Sequence, residues 1–282
     1  MVAIDVAFTH TLLQGIRGVL EEYGAMSIGE VYLLDTAKVA TYYGTVEAPE
    51  LHLSFNFPGL WAPWEAAAWR ERIDEVERHL TGARWPTWVL SNHDVPRHRT
   101  RYGSEARARA AAVLLATLRG TPFLYAGEEL GLEDAVVPAD RVVDPGGRDG
   151  CRAPLPWTPD EGHGWVGGAA PWLPWPPDAA DRSVASQRAD EGSTLWFYRR
   201  LLAARRGSPA LRSGTFTWLA SPPDVLAYQR VAGDDRRVVL VNQGAAAAVV
   251  LLEGAWAVEL ASDGSSTAQA LAGDAAVVLR PA

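Results

Sequence analysis

Acidic side chains and one histidine fall where apolar segments of this sequence end. Asp5 lies in "VAIDVAF", Glu30 follows "AMSIG", and His93 and Asp94 follow "PTWVLSN". In a parallel β/α fold such groups collect at the carboxyl ends of the strands, so we expect them to meet at one rim. Paired carboxylates can cleave a glycosidic bond, because a neutral acid protonates the leaving oxygen while an ionised partner attacks the anomeric carbon. On spacing alone, a helix N-terminal charge at Glu30 and a capping role for Asp94 stay open as alternatives.

The elements that would position these residues alternate between strands and helices. Apolar runs predict strands at 2–8, 25–34, 50–57, 86–92 and 121–130, and amphipathic periods predict helices at 9–23, 35–44, 63–80 and 105–119. This order indicates a parallel sheet with helical crossovers, in either a barrel or a doubly wound sheet.

The remainder of the chain changes character twice. Residues 136–177 are rich in Pro, Gly and Trp without a period, which is typical of a long functional loop. A helix is predicted at 195–206, and short alternating runs follow at 215–221, 225–231, 236–244, 247–254 and 276–282. We therefore expect two domains, residues 1–207 and an all-β domain over 208–282.

Composition limits the class of protein. The chain has 282 residues, is 48% hydrophobic and carries a net charge of −8, which argues against nucleic acid or an anionic membrane as a partner. Cys151 is the only cysteine, so no intrachain disulfide is possible. The sequence shows neither a signal peptide nor an apolar run of membrane-spanning length, and we expect a cytoplasmic protein. We expect no catalytic metal and no cofactor, because no His/Cys cluster has ligand spacing and no glycine-rich phosphate loop follows a strand.

Five segments resemble one known family. "SNHD" followed by "VPRHRTRYG" is similar to the α-amylase-type family of retaining glycoside hydrolases, nearest its α-glucosidase and oligo-1,6-glucosidase branch. Four further segments resemble that family in the same order along the chain, namely "IGEVYLLDTAKVATYYG", "LHLSFNFPGL", "GTPFLYAGEELGLED" and "GRDGCRAPLPW". The resemblance covers about residues 9–160 and implies part of a (β/α)8 TIM-type barrel, with the small β domain after it.

The resemblance also implies roles for individual residues. Glu30 matches the general acid/base, Asp94 the third carboxylate that binds ring hydroxyls, and His93 a hydroxyl and transition-state ligand. Arg97 matches an arginine that helps to close the glucose pocket. For the neighbouring Arg99 and Arg101 we expect surface solvation.

The family's nucleophile ends strand four in a Gly-Phe-Arg-Ile-Asp pattern, and this chain departs from it. Ile4-Asp5 fits, but Ala3 stands where the arginine would be, so Asp5 is either the nucleophile or an ordinary strand residue. We expect an incomplete barrel of about strands four to eight, whose open edges need pairing.

The sequence leaves two functions open. One is a retaining α-glucosidase that acts on α-linked glucose oligosaccharides with little activity alone, and whose partner is a missing N-terminal barrel segment or second chain. The other is a non-catalytic scaffold or carbohydrate-binding subunit derived from such an enzyme.

Overall fold

The computed structural model describes residues 7–165 and 171–282. Its helices are α1 (Ala7–Glu22), α2 (Thr36–Thr41), α3 (Phe57–Leu60), α4 (Ala66–His79), α5 (His98–Tyr102), α6 (Glu105–Thr117), α7 (Val184–Ala189), α8 (Thr194–Gly207) and α9 (Pro209–Ser213). Its strands are β1 (Ile28–Gly29), β2 (Leu53–Ser54), β3 (Thr87–Val89), β4 (Thr121–Phe123), β5 (Thr215–Trp218), β6 (Val225–Ala232), β7 (Asp235–Asn242), β8 (Trp256–Ala261) and β9 (Ala276–Pro281). Short 3-10 turns lie at Glu128–Leu130, Ala139–Arg141 and Gly150–Arg152.

The chain forms two compact units. The first consists of Met1–Pro63, Ala67–Val89 and Gly120–Phe123, and the second of Trp64–Ala66, Leu90–Arg119 and Leu124–Ala282. Within the described residues, no helix is long and apolar enough to cross a bilayer.

The first unit holds two pairs of parallel strands, β1 with β2 and β3 with β4. The hydroxyl of Thr87 joins the pairs, because it donates to the carbonyl of Ser54 at 2.8 Å and accepts from the amide of Asn56 at 3.1 Å. Parallel pairing with helices between the strands is the arrangement that the sequence predicts.

Helices α4 and α1 in this unit make different kinds of contact. Helix α4 buries Trp69, Ile73 and Val76, as its apolar period predicts. Helix α1 instead contacts Glu50 through polar residues: His10 Nδ1 lies 2.7 Å from Glu50 Oε2, and Gln14 Nε2 donates to Glu50 Oε1 at 3.3 Å. The apolar stripe of α1 is exposed on its other side.

The predicted strands of the first unit are longer than the observed ones. The run 25–34 keeps only β1, and Met26, Tyr32 and Leu34 within it are exposed. In the run 2–8, residues 2–6 lie outside the described part of the chain, and Ala7 already begins α1.

Helix α6 lies at the centre of the second unit. Ser104 caps it by accepting from the amide of Arg107, and the second half of the helix is buried on all sides, including Ala110, Val113 and Leu114. An alanine-rich helix suits this position because small side chains allow neighbouring elements to approach closely.

The second unit also contains a five-stranded antiparallel sheet in the order β5-β6-β7-β9-β8. It packs over a core that includes Val225, Leu240, Leu271 and Val277. The strand predicted at 247–254 is wrong: the side chains there alternate, but the backbone forms an isolated bridge from Ala248 to Leu271 and a hydrogen bond from the amide of Val250 to the carbonyl of Ala268. The fifth strand is β8, which the sequence pattern did not show.

Candidate active site

The segment after β3 presents His93 and Asp94 on a tight turn. The side-chain oxygen of Asn92 accepts from the amides of Asp94 at 2.9 Å and Val95 at 3.1 Å. The apolar strand therefore ends because asparagine satisfies the first two amides beyond the histidine. The imidazole of His93 is exposed, and its Nε2 lies 3.6 Å from Asp94 Oδ1.

Two arginines from one later segment hold the carboxylate of Asp94. Asp94 Oδ1 accepts from Arg148 Nη1 at 2.7 Å and from Arg152 Nη2 at 3.1 Å. Arg152 also donates from Nε to the carbonyl of His93 at 2.8 Å. Charge-assisted hydrogen bonds of this kind fix both the position and the orientation of a carboxylate.

Arg148 is itself anchored by a second acid. Its Nη2 and Nε donate to the two oxygens of Asp144 at 2.6 and 2.8 Å, a bidentate pairing. The hydrogen bonds from Arg148 hold the pKa of the Asp144 carboxyl well below its usual range. The guanidinium of Arg148 thus bridges Asp94 and Asp144.

Arg97 lies behind this turn rather than in the solvent. Its side chain is buried, Nη1 donates to the carbonyl of Ala126 at 2.8 Å, and the guanidinium carbon lies 4.6 Å from the ring centre of Tyr125. Its amide donates to Asp134 Oδ1 at 2.8 Å. Gly127 makes room for the guanidinium: at φ +96°, a Cβ there would lie 2.9 Å from Arg97 Nη1.

A buried acid–base pair lies next to Arg97. His98 Nδ1 is 3.7 Å from Glu128 Oε1 and 3.0 Å from Ser91 Oγ, and the side chains of His98 and Glu128 are almost fully inaccessible. Ser91 Oγ also accepts from the amide of His98 at 2.8 Å. This pair links Ser91 to the 3-10 turn at Glu128–Leu130, which replaces the second half of the strand predicted at 121–130.

The expectation of simple surface solvation for Arg99 and Arg101 is wrong. Arg101 Nη2 donates to the carbonyl of Leu90 at 2.5 Å and Nε to that of Pro96 at 3.1 Å. Arg99 Nη2 lies 3.0 Å from a carboxylate oxygen of Glu133. Arg101 therefore supports the backbone of the turn, and Arg99 forms an ion pair with Glu133.

Glu30 belongs to the first unit and directly follows β1 with an exposed side chain. The preceding residue must be glycine, because a Cβ at Gly29 would overlap the side chain of Leu51. Glu30 is therefore presented at a strand end, as the sequence predicts. Asp5 lies outside the described residues.

Sequence reasoning did not single out Arg148, Arg152 and Asp144. The signal that could have revealed them is their spacing. Asp144, Arg148 and Arg152 follow one another at intervals of four residues in a segment that is otherwise rich in Gly and Pro. Long-range pairing of that segment with Asp94 could not be read from local pattern.

Comparison with known proteins shows the family to which this chain belongs. Residues 2–214 match the α-amylase catalytic domain family. The chain belongs to this family, and the curated relatives that it matches include an alpha-glucosidase and an oligo-1,6-glucosidase.

Individual relatives of known sequence are glucosidases, in agreement with the family match. The chain is 35% identical over 257 residues to a probable alpha-glucosidase of Rhizobium meliloti, covering 84% of this chain and 45% of that protein. It is 28% identical over 278 residues to an oligo-1,6-glucosidase of Parageobacillus thermoglucosidasius, covering 83% and 49%.

Solved structures of similar proteins also match this chain. The alpha-glucosyl transfer enzyme XgtA matches with a TM-score of 0.88 at 33% identity, over 98% of this chain and 55% of that one. The trehalulose synthase MutB of Pseudomonas mesoacidophila matches with a TM-score of 0.85 at 25% identity, over 96% and 58%. The fold is thus that of part of an α-amylase-family TIM-barrel enzyme, and the chain spans about half the length of the curated relatives it matches.

Proposed function

We propose that this chain carries part of the active site of a retaining enzyme that hydrolyses α-glucosidic bonds of oligosaccharides, or transfers the glucosyl group by the same route. The observation that carries the proposal is the Asp94 turn. Its carboxylate is oriented by Arg148 and Arg152 beside the exposed ring of His93, in a chain that belongs to the α-amylase family. A carboxylate and an imidazole so placed suit the hydroxyls of a glucose ring.

Each residue then has a role in the reaction. Glu30 protonates the leaving oxygen and later deprotonates the incoming water or acceptor hydroxyl. Asp5 attacks the anomeric carbon, which requires its carboxyl carbon to lie about 5 to 5.5 Å from that of Glu30. Asp94 and His93 bind ring hydroxyls as the ring distorts, and Arg97 helps to close the glucose pocket by supporting its wall from behind, where the side chain is buried. No step requires a metal ion.

We also propose that residues 1–207 carry the chemistry, that the all-β part over 208–282 supports them, and that full activity requires the rest of the barrel. Two observations support the last point. Relatives are about twice as long as this chain. In addition, the apolar face of α1, defined by Phe8, Leu12, Ile16, Val19 and Tyr23, is exposed.

The occupant of this α1 face is the barrel segment that the relatives possess and that this chain's match does not span. Residues at intervals of three and four form one continuous stripe on a helix, and Leu12 and Ile16 within it are 51% and 52% exposed. An apolar stripe of this length is characteristic of a surface that packs against another element. The same polypeptide or a second one can supply that segment.

The half-length match favours a second candidate, a non-catalytic scaffold or carbohydrate-binding subunit that keeps the barrel part for interaction.

The stereochemistry of the product distinguishes the retaining enzyme from the non-catalytic subunit. The chain is supplied with the N-terminal half of the Rhizobium meliloti probable alpha-glucosidase, fused or added, and given an aryl α-glucoside. Proton magnetic resonance of the first-formed glucose should show the α anomer. The β anomer would exclude the retaining mechanism, and no product would favour the scaffold.

A further inference from the structure

The first unit contains a cavity of about 780 Å³ that the roles proposed above leave unused. Every residue that lines it belongs to the first unit. We call it the basal cavity, and its lining includes Arg17, Thr45, Pro49, Leu51, His52 and Arg84. His52 directly precedes β2, whereas Glu30 directly follows β1, which pairs with β2 in parallel. The basal cavity therefore lies toward the opposite ends of the strands from Glu30.

Two arginines from different elements line the basal cavity, and both are partly buried. Arg17, on α1, donates from Nε to Glu21 Oε1 at 2.7 Å and from Nη1 to the carbonyl of Glu50 at 3.3 Å. Arg84, in the turn after α4, donates from Nη2 to the carbonyl of Gly44 at 3.1 Å. Among the described residues, neither Arg17 Nη2 nor Arg84 Nε and Nη1 has a hydrogen-bond acceptor. Both guanidinium groups are thus held in place and retain N–H groups for a ligand.

The imidazole of His52 adds a third donor. Its Nδ1 accepts from the amide of Ser27 at 3.0 Å. Because an amide can only donate, the neutral ring carries its proton on Nε2. Burial, together with the nearby charge of Arg17, lowers the pKa of His52. The ring is therefore neutral near neutral pH, and it offers an N–H group without adding a charge that would repel the arginines.

The remaining polar groups of the basal cavity also favour an anion. The hydroxyl of Thr45 accepts from a backbone amide at 3.1 Å and keeps its own proton for another acceptor. The neighbouring acids are engaged, because Glu21 pairs with Arg17 and Glu50 Oε2 lies 2.7 Å from His10 Nδ1. The uncommitted side-chain groups are therefore donors, and two arginines face one lining carboxylate.

One part of the wall is apolar. Val46, Pro49 and Leu51 line the basal cavity together with the polar groups. The side chain of Val46 is 87% exposed, which leaves apolar area for a ligand to cover. A ligand that satisfies both parts of the wall has an anionic group and an organic body.

We propose that the basal cavity binds a phosphate monoester, whose phosphoryl group contacts Arg17, Arg84 and His52 and whose organic part lies against the apolar wall. Charge-assisted hydrogen bonds from arginine to phosphate are short and about twice as strong as neutral ones. The phosphoryl group has three terminal oxygens, so the two guanidinium groups, His52 Nε2 and the Thr45 hydroxyl can all find an acceptor. The proposal is independent of the proposed function, because none of these residues has a role in the reaction.

Calorimetric titration of the 282-residue chain with phenyl phosphate and with inorganic phosphate, at one ionic strength set with sodium chloride, tests the proposal. The parent should bind phenyl phosphate at one site and at least about threefold more tightly than inorganic phosphate, because the phenyl ring covers apolar surface. Arg84→Gln should weaken the binding of phenyl phosphate at least about tenfold, since it removes a charged donor. Arg17→Gln should do the same if Arg84→Gln proves misfolded by circular dichroism.

The matched control is Arg72→Gln, which removes the same charge from α4 in the same unit but outside the basal cavity. It should bind phenyl phosphate within about twofold of the parent. Equal weakening by Arg72→Gln and Arg84→Gln would overturn the proposal, because it would show a general effect of charge. Parent-like binding by both Arg17→Gln and Arg84→Gln, or no saturable binding to the parent at about 20 mM, would overturn it too. Equal affinities for phenyl phosphate and inorganic phosphate would overturn the assignment to a monoester.

Discussion

The carboxylate of Asp94 and the guanidinium of Arg148 meet at 2.7 Å, although 54 positions separate them along the chain. Arg148 reaches Asp94 while both its Nε and Nη2 are held by Asp144. The orientation of a candidate sugar-binding acid thus depends on a segment that has almost no regular secondary structure.

Replacing Asp94 with asparagine should reduce sugar binding much more than stability. The side chain is partly exposed, so its ion pairs contribute little to folding. A hydrogen bond from a sugar hydroxyl to a charged acceptor is stronger, and its loss should lower affinity about ten- to a hundredfold. Calorimetry with glucose and thermal unfolding measure the two effects. Asp140→Asn, at an exposed acid of the same unit, is the matched control, and an equal loss there would contradict a specific role for Asp94.

The Asp144–Arg148 pair should make stability depend on pH at the acid end. The folded-state pKa of Asp144 lies below its ordinary value of 3.8, because Arg148 stabilises the ionised carboxylate. The pair therefore contributes stability above pH about 4, and this contribution disappears as the pH falls through the folded-state pKa. Urea unfolding of the parent and of Asp144→Asn should differ most near pH about 6 and converge toward pH about 2. Parallel curves across this range would show that Asp144 is not the source of the dependence.

Gly127→Ala should disturb Arg97. The new Cβ would contact Leu132, Leu155 and the Arg97 guanidinium, and the left-handed backbone adds about 1 kcal/mol of strain. Thermal unfolding should show destabilisation by about 1 to 3 kcal/mol. The control is Gly207→Ala at the end of α8, where nothing lies within 4 Å of the added methyl group. If both variants unfold alike, Gly127 does not make room for Arg97.

The α1 face should control assembly with the supplied barrel half. Ile16→Asp places a charge in the middle of the exposed stripe, so it should weaken association at least about tenfold while leaving the isolated chain as stable as before. Sedimentation of the mixed halves measures association. Glu22→Gln, at an exposed polar position at the end of the same helix, should associate normally. Normal assembly of Ile16→Asp would show that the face has another role.

Local pattern predicted the helices better than the strands. Helices α4, α6 and α8 lie within a few residues of their predicted limits, because caps such as Ser104 and clear apolar periods determine them. The strands of the first unit are only two or three residues long, since strand length depends on neighbours that an apolar run does not reveal. For the same reason β8 was missed and 247–254 was mistaken for a strand.

The positions of the exposed candidate residues after the strands could be predicted from the sequence. His93 and Asp94 follow a strand and Glu30 follows another, as the sequence indicated. Their supports could not be predicted, because the pairings of Asp94 with Arg148 and of His98 with Glu128 join distant segments. The placement of Arg97 against Tyr125 likewise depends on Gly127, whose importance appears only in three dimensions.

The most direct test of the account is the rate of aryl α-glucoside hydrolysis by the chain alone and with the N-terminal barrel half supplied, each as parent and as Glu30→Gln. Losing several positioning contacts should slow the chain alone by at least about a thousandfold, since each ~1.36 kcal/mol is tenfold in rate. The supplied half should restore turnover, and Glu30→Gln should lower kcat in the restored form about a hundredfold or more. Full turnover by the chain alone, or a restored form in which Glu30→Gln is as active as the parent, would contradict the account.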